Sequence, residues 1–232
     1  MTTVLILAAG AQKRWEGHGI KQLADLGGES VLLRLARQVK RHGHTPIVVT
    51  GNPDIRRACL DICLTFQPLD CRWIMETILS TRALWTDPVI VLLGDVIYSR
   101  AAIEAILTDP RPFQIYGDVG EIYGMRFRME HEPQLRDISA DAEARQGGVE
   151  RGRIWNLYRK LCGRDLDTHF HPYENDPNFT YIRDYTGDID TVEALEVFRR
   201  DVIAAGRFDD TREPIGVCAC ACDECACEAV AK

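Results

Sequence analysis

Short, almost continuously apolar runs alternate with helical patterns along the first half of the chain. Four runs predict buried strands, because they are short and rich in aliphatic and β-branched residues: residues 4–9, 46–50, 63–67 and 88–93. Helices are predicted between and after these strands, at residues 29–42, 74–85 and 99–107. A further short helix is predicted to begin after Asn52 or Asp54, either of which could be its N-cap, and to end at Leu60. Alternating strands and helices of this kind predict an α/β fold with a mostly parallel sheet covered on both faces.

The pattern changes after the proline-containing segment 109–112. Two strands joined by a Gly-Asp turn are predicted, and a polar, weakly helical segment follows them. An amphipathic helix, a strand and a final helix complete the prediction. Counting the two strands of the pair separately, the six predicted segments are residues 113–117, 121–129, 132–148, 151–161, 179–183 and 192–205. Asp190 stands three residues before Glu193, which is the spacing of a capping box at the start of the last helix.

The composition is that of an ordinary globular domain. The chain has 232 residues, of which 46% are hydrophobic and 27% are charged, and this length suits one sizeable α/β domain rather than two. No apolar run approaches about 18 residues. The N-terminus lacks the basic region and cleavage site of a signal peptide. We therefore expect a cytoplasmic protein without a membrane partner.

Positive charge is concentrated near the N-terminus. The formal net charge is −7, yet residues 1–43 contain seven Lys or Arg and only three acidic residues. A basic segment in an acidic protein suits a bound polyphosphate better than a nucleic acid, which needs a broad basic face. Four of the cations lie at helical spacing and predict a solvated helix face: Arg34, Arg37, Lys40 and Arg41.

The nine cysteines fall into two groups. Four are scattered in apolar surroundings and are predicted to be reduced core residues: Cys59, Cys63, Cys71 and Cys162. Five crowd the C-terminal tail: Cys218, Cys220, Cys222, Cys225 and Cys227. This density is typical of thiolate metal clusters, but the paired CxxC knuckles of a structural zinc site are absent. Metal binding and a disordered, oxidation-prone tail both remain open.

The segment after the first strand has the chemistry of a phosphate-binding loop. Glycines at 10, 17 and 19 allow backbone N–H groups to approach an anion, and Lys13, Arg14 and Lys21 supply charge-assisted bonds to phosphate oxygens. A glycine loop that merely turns the chain is the simpler alternative. Neither GxxxxGK[ST] nor GxGxxG follows this strand, so a P-loop ATPase and a dinucleotide dehydrogenase are disfavoured.

Carboxylates follow the fourth strand and precede the last helix. In an open parallel sheet, ligands bind at the carboxyl ends of the strands, so Asp95 is expected to face the same crevice as Gly10. A turn or a helix cap is the alternative for Asp95, as capping is for Asp190.

Four sequence islands occur in the order typical of one enzyme superfamily: LAAGAQKR with Lys21, LADLGGESVLL, GDVIYS and DIDTVEAL. Over residues 3–205 the chain resembles the nucleotidyltransferases, a superfamily that includes sugar-phosphate nucleotidyltransferases, phosphocholine cytidylyltransferases and molybdenum cofactor guanylyltransferases. Gln12 stands where the superfamily usually has a glycine or small residue, and Val192 and Ala194 replace a usual Pro and Asp.

The resemblance implies a Rossmann-like three-layer sandwich, the nucleotide-diphospho-sugar transferase fold. It implies a nucleotidyltransferase domain over residues 1–206, with an acceptor-binding insertion at about 111–180, and leaves residues 207–232 as a Cys-rich tail. His169 and His171 fall within the insertion, where acceptor lining or plain packing is favoured over a metal site.

The resemblance also implies a set of site residues. Arg14 and Lys21 are the candidate catalytic residues, and Asp95 and Asp190, with Asp188 as a further candidate, are the expected Mg²⁺ ligands. The segment containing Glu76 lies where the superfamily reads the base. The candidate nucleotide-binding residues are Leu7, Ala8, Ala9, Gly10, Ala11, Gln12, Lys13, Arg14, Lys21, Thr77, Ser80 and Gly94.

The implied activity is Mg²⁺-dependent transfer of a nucleoside monophosphate from a nucleoside triphosphate to a small phosphorylated acceptor, such as a sugar phosphate or a phosphocholine-like molecule, with release of pyrophosphate. No nucleic-acid partner is expected, and the base, the acceptor and the oligomeric state are left open. Two alternatives are a glycosyltransferase of similar fold, which would carry a DxD motif after its fourth strand, and a non-catalytic nucleotide- or metal-binding protein.

Overall fold

A seven-stranded sheet forms the centre of the computed structural model, which describes residues 2–10, 15, 17–69, 71–144, 152–166, 172 and 176–208. The strands are β1 (Thr3–Leu7), β2 (Pro46–Val49), β3 (Leu64–Phe66), β4 (Val89–Leu93), β6 (Gln114–Asp118), β7 (Glu121–Phe127) and β8 (Phe179–Tyr181). Their order across the sheet is β3-β2-β1-β4-β7-β6-β8. All neighbouring pairs are parallel except the two that involve β7, so the prediction of a mostly parallel sheet is confirmed.

Helices cover the sheet, and a small second ribbon lies at one end of it. The helices are α1 (Val31–Arg41), α2 (Pro53–Cys59), α3 (Ile74–Ser80), α4 (Arg100–Thr108), α5 (Glu132–Ala144), α6 (Ile154–Leu161) and α7 (Val192–Phe198). The ribbon pairs β5 (Val96–Ile97) with β9 (Gly187–Asp188) in antiparallel register. In the part of the chain that the structure describes, no helix is long and apolar enough to cross a membrane.

Alternate side chains of the central strands enter different cores. Val4 and Ile6 of β1 pack with the apolar side of α1, whereas Leu5 and Leu7 pack with α3, α5 and α6 on the other face. Both sets are buried, because a parallel strand between two helical layers has no solvated face. This arrangement explains why β1 and β4 appear in the sequence as continuous apolar runs, whereas β3, at the edge of the sheet, is mostly exposed.

A third core lies beside the β5–β9 ribbon. It consists of Trp15, Leu26, Val31, Ile97, Ile189 and Leu195. We call these six residues the junction core, because they come from the segment after β1, the start of α1, the ribbon and α7. The side chain of Phe208 packs against its edge.

One predicted helix ends earlier than the sequence pattern indicates. The helix predicted at 74–85 ends at Ser80 and is followed by a separate 3-10 turn at Arg82–Leu84. The last helix, predicted at 192–205, is α-helical as far as Phe198 and continues as a π-helix over Arg199–Ile203. The polar segment predicted at 132–148 is a regular helix as far as Ala144.

The alternative in which Asp190 caps the last helix does not hold. Thr191 is the N-cap of α7, and its side chain accepts a hydrogen bond from the backbone N–H of Ala194. Thr191 satisfies this N–H, so the carboxylate of Asp190 is left to contact a cation instead. At α2, Asn52 rather than Asp54 is the cap.

The solvated-face prediction holds for three of the four basic residues of α1 and fails for Arg34. Arg34 is 2% exposed, and its guanidinium donates a 2.6 Å hydrogen bond to the carbonyl of Tyr98. It lies three residues after Val31 and four before Gln38, on the buried side of the helix. The prediction of core cysteines also fails in part: all four are free thiols, but Cys71 is exposed and only Cys59 is fully buried.

Candidate active site

The site lies where the carboxyl ends of β1 and β4 meet. From β1 the sheet grows towards β2 on one side and towards β4 on the other, which is the topological switch point where α/β proteins bind ligands. Gly94, directly after β4, donates its N–H to the carbonyl of Leu7 at 2.9 Å. A Cβ at position 94 would lie 2.8 Å from that same oxygen. The sequence therefore needs glycine here for the two strand ends to approach each other.

Lys21 joins two of the predicted metal ligands. Its Nζ atom lies 2.6 Å from Asp95 Oδ2 and 3.0 Å from Asp190 Oδ1. The residue is 8% exposed, on a 3-10 turn at Lys21–Leu23. Burial alone lowers the pKa of an ammonium group, but the two carboxylates outweigh that effect, so the pKa of Lys21 is raised and the side chain stays charged. The structure thus brings together Lys21, Asp95 and Asp190, which the sequence predicted for one site.

The β5–β9 ribbon places Asp190 beside Asp95. Val96 pairs with Asp188 across the ribbon, and the N–H of Ile189 donates to the carbonyl of Asp95 at 3.1 Å. The backbone that carries the late DID sequence is thereby hydrogen-bonded to the backbone that follows β4. Two carboxylates that are 95 positions apart in the chain, at 95 and 190, end up on one ammonium group.

Asp188 lies near the phenol of Tyr123. Burial raises the pKa of Tyr123, and the negative charges of Asp118 and Asp188 raise it further. Within the described ranges, no three or more His, Cys, Asp or Glu side chains are gathered as a ready-made metal site. Asp95 and Asp190 therefore form a two-carboxylate arrangement, with Asp188 on the neighbouring strand.

The donor set of Asp95 and Asp190 fits a magnesium ion. Both groups are hard carboxylate oxygens, and both already contact one shared cationic group. Mg²⁺ is commonly bound through one or two carboxylates together with substrate phosphates and water. The geometry is thus compatible with the predicted ion.

The structure describes only part of the predicted phosphate loop. Leu7 ends β1, Ala8 is buried, and the carbonyl of Ala8 accepts a 2.9 Å hydrogen bond from the hydroxyl of Thr50. Ala9 is half-buried and Gly10 is exposed with open space around it. The predictions for Ala11, Gln12, Lys13 and Arg14 fall outside the described residues, as do those for His169, His171 and the five tail cysteines.

The three residues expected to read the base lie on α3, with their polar groups already bonded. The hydroxyl of Thr77 donates to the carbonyl of Trp73, and that of Ser80 donates to the carbonyl of Thr77. Glu76 pairs with Arg72. A contact of these residues with a base stays a prediction.

Three residues that brace the site were not identified from the sequence. Tyr98 is fully buried, its hydroxyl accepts a 3.0 Å hydrogen bond from the N–H of Leu93, and it also donates to the carbonyl of Tyr123. Arg34 and Gln38 of α1 both donate to the carbonyl of Tyr98. The polar pair at positions 34 and 38 interrupts the apolar stripe of α1, which is the signal that could have revealed it.

Fold and site together define a nucleotide-binding α/β transferase. The model of the MobA-like NTP transferase domain family matches residues 4–145, which is more than half of the chain. The chain therefore belongs to this family and is a nucleotidyltransferase. A comparison with curated proteins finds no match.

Solved structures with the same fold come from several nucleotidyltransferases. A Bacillus anthracis protein assigned as a glucose-1-phosphate thymidylyltransferase is 14% identical, with a TM-score of 0.62 over 92% of this chain and 98% of its own. A UDP-glucose pyrophosphorylase from Acinetobacter baumannii is 10% identical, with a TM-score of 0.60 over 90% and 95%. The CTP:phosphocholine cytidylyltransferase of Streptococcus pneumoniae is 11% identical, with a TM-score of 0.59 over 87% and 99%. These likenesses confirm the predicted three-layer fold.

Proposed function

We propose that the protein is a magnesium-dependent enzyme that transfers a nucleoside monophosphate from a nucleoside triphosphate to a small phosphorylated acceptor and releases pyrophosphate. The observation that carries this proposal is the contact of one buried lysine with two carboxylates from distant parts of the chain, at the switch point of the sheet. Membership of an NTP transferase family supports it.

Different side chains are proposed to neutralise different charges in the reaction. Asp95 and Asp190, with Asp188 as a further candidate, are the residues that would hold Mg²⁺, which when bound offsets the negative charge of the phosphates. Arg14 and Lys21 bind the β and γ phosphates, which become the leaving pyrophosphate. The backbone of residues 7–13 and Gly94 surrounds the triphosphate.

A general base is not needed in this reaction. The phosphate oxygen of the acceptor is already ionised near neutral pH, so it attacks the α-phosphorus without losing a proton. The bond between the α-phosphorus and the oxygen that bridges it to the β-phosphate breaks, and pyrophosphate leaves. The protein contributes positioning and electrostatic stabilisation.

The acceptor is assigned to the insertion at residues 111–180. A stacked aromatic pair, Trp155 and Phe179, lies in this region with ring centroids 5.9 Å apart, and Tyr181 packs beside Phe179. The names of two solved relatives include glucose-1-phosphate and phosphocholine. A sugar phosphate or a phosphocholine-like molecule is therefore the acceptor class to test first.

The glycosyltransferase alternative is disfavoured by the segment after β4. A DxD motif needs a second acidic residue two positions after Asp95, but position 97 is the buried Ile97 of β5.

The Cys-rich tail stays a candidate thiolate metal site. The thermal stability and the metal content of a truncated chain test this candidate separately.

A substrate screen tests the proposed function directly. The full-length protein is incubated with Mg²⁺, each of the four ribonucleoside triphosphates, and a panel of sugar phosphates, phosphocholine and related phosphates. We expect one combination to release pyrophosphate and to form the matching nucleoside diphosphate conjugate, identified by mass spectrometry. An Asp190→Asn variant is the matched control. If no combination gives acceptor-dependent pyrophosphate release, the proposal is wrong.

A further inference from the structure

Trp15 is the first described residue after Arg14, and it points away from solvent. Its side chain is 4% exposed and belongs to the junction core. The indole N–H donates a 2.9 Å hydrogen bond to the carbonyl of Ile189, a residue 174 positions later in the chain. The segment that carries the predicted phosphate-binding cations is thus hydrogen-bonded to the segment that carries the late carboxylates.

The peptide groups of Ile189 are held from two directions. Its N–H donates to the carbonyl of Asp95 at 3.1 Å, while its carbonyl accepts from Trp15. Ile189 itself is 1% exposed and stands between Asp188 and Asp190. A buried carbonyl without a donor costs free energy, so removal of the indole N–H favours a different orientation of this backbone.

We propose that Trp15 is a positioning residue, whose indole N–H fixes the backbone between Asp188 and Asp190 and so links the triphosphate loop to the carboxylates. The inference rests on the proposed function. Packing of the Trp15 ring in the junction core requires no donor at Ile189. The hydrogen bond adds a defined orientation for the residue that contacts Lys21, namely Asp190.

This role predicts a specific kinetic effect. Loss of the indole N–H leaves Lys21 and the phosphate loop intact, so KM for the triphosphate should change by less than about twofold. The carboxylates become less well placed, so kcat should fall by about tenfold and the Mg²⁺ concentration for half-maximal rate should rise by threefold or more. A purely structural role for Trp15 lowers the melting temperature without this split.

Two variants remove the donor with different demands on packing. Trp15→Phe keeps an aromatic ring, and replacement of Trp15 by benzothienylalanine keeps the shape of the indole while exchanging N–H for sulfur. Trp85→Phe is the matched control. Trp85 is 7% exposed and donates an indole hydrogen bond of 2.8 Å to Thr81 Oγ1, in the core on the other face of the sheet.

Calorimetric titration of Mg²⁺ in the presence of an α,β-methylene triphosphate analogue gives a readout that does not depend on turnover. We expect weaker Mg²⁺ binding in both Trp15 variants and unchanged binding in Trp85→Phe. Folded Trp15 variants with wild-type kcat and wild-type Mg²⁺ binding would overturn the inference. If Trp15→Phe does not fold, the isosteric variant decides. A wild-type protein that binds the Mg²⁺ analogue complex but never releases pyrophosphate contradicts the proposed function alone, while one that binds no complex contradicts both.

Discussion

The two halves of the central sheet are held together by different kinds of polar contact. In the half formed by β3, β2, β1 and β4, the charges at the switch point come from distant segments, as in the pairing of Lys21 with Asp190 across 169 residues. In the half formed by β7, β6 and β8, Asp109 pairs with its near neighbour Arg111, and Glu132 pairs both with Arg136, one helical turn away, and with Arg82, 50 positions away. Aromatic packing among Trp155, Tyr158 and Phe179 supplements them.

This difference distinguishes the half of the sheet that carries the candidate reaction site from the half proposed to recognise the acceptor. A reacting site requires groups at fixed mutual positions, which contacts between distant segments provide. The ion pairs of the other half do not include Asp95 or Asp190, so the surface they form can change without displacement of these carboxylates. The half formed by β7, β6 and β8, which we propose binds the acceptor and call the acceptor half, is therefore the part where substrate preference could change while the site carboxylates stay in place.

The largest expected effect is at the two carboxylates that contact Lys21. Asp95→Asn or Asp190→Asn removes one of the charges expected to hold Mg²⁺, and we expect transfer to fall by two or more decades, on the order of 3 kcal/mol in transition-state energy. The measurement is kcat/KM at limiting Mg²⁺, with circular dichroism to verify folding. Asp137→Asn is the control, because Asp137 pairs with Lys160 on the exposed side of the acceptor half. Near wild-type turnover in both site variants would refute the metal assignment.

A smaller but graded effect is expected at the cations. Arg14→Ala and Lys21→Ala should each weaken transfer by about tenfold to a thousandfold, because a charge-assisted contact strengthens as pyrophosphate departs. Lys13→Ala serves as the tolerant control, because its position varies in the superfamily's motif, and its charge is expected to contribute under about 1 kcal/mol. The readout is kcat/KM for the triphosphate. Equal and small effects at all three positions would remove the case for a phosphate loop.

In the acceptor half, Asp109 should affect stability in a pH-dependent way. Burial raises the pKa of this carboxyl, but hydrogen bonds from Arg111 and Tyr116 outweigh burial, so the folded pKa is below the unfolded value. Because its pKa is lower in the folded protein, the ionised carboxylate of Asp109 contributes to the free energy of unfolding above about pH 3.9. This contribution is lost as the pH falls through the folded pKa. Asp109→Asn should therefore destabilise the protein at pH 7 and do so less below about pH 4.

Urea unfolding of wild-type protein and Asp109→Asn at several pH values measures this difference. Mg²⁺ dependence of transfer should be the same in both proteins, because the Asp109 network does not include the switch point. A pH-independent difference in unfolding free energy would show that the charge of Asp109 is not the cause.

The smallest effect is expected at the tail. Phe208 contacts Tyr185 and Phe198, and its ring lies 4.4 Å from the Arg34 guanidinium. Truncation after Phe208 should leave transfer unchanged and shift the melting temperature by less than about 2 °C, while any zinc or copper bound by the cysteines is lost. Truncation after Gly206, the predicted domain boundary, also removes Phe208. This shorter variant should have a melting temperature about 2–4 °C lower, which corresponds to a loss of ~1 kcal/mol of stability in a domain of this size. Loss of catalysis in the longer variant would place the tail in the active site.

The sheet and the Lys21 site were predictable for a common reason. Apolar runs record burial, and the sequence islands around positions 21, 95 and 190 occur in the order typical of the superfamily. Contacts to backbone acceptors leave no such record, because any residue supplies a carbonyl. The hydrogen bond of Trp15 to Ile189 and that of Arg34 to Tyr98 were therefore missed.

Competition between neighbouring residues explains why the sequence left the cap of the last helix open. Asp190 and Thr191 both have side chains that cap helices, and only the structure shows that Thr191 does so. Cys71 illustrates the same limit in a different way. A thiol is compatible with both core and surface, and the charged residues on either side of Cys71, Asp70 and Arg72, are consistent with its exposure.

The contacts that join the segment after β1 to residues 189 and 190 also determine when the site can form during protein synthesis. A chain on the ribosome can pair β1, β2 and β4 once about the first hundred residues have emerged, but Lys21 cannot meet Asp190 until nearly the whole domain has been translated. Contacts between such distant residues form late, because a long loop must close first. A nascent or prematurely terminated chain can thus contain most of the parallel sheet while its carboxylates remain unassembled, and the site can form only after residue 190 has emerged.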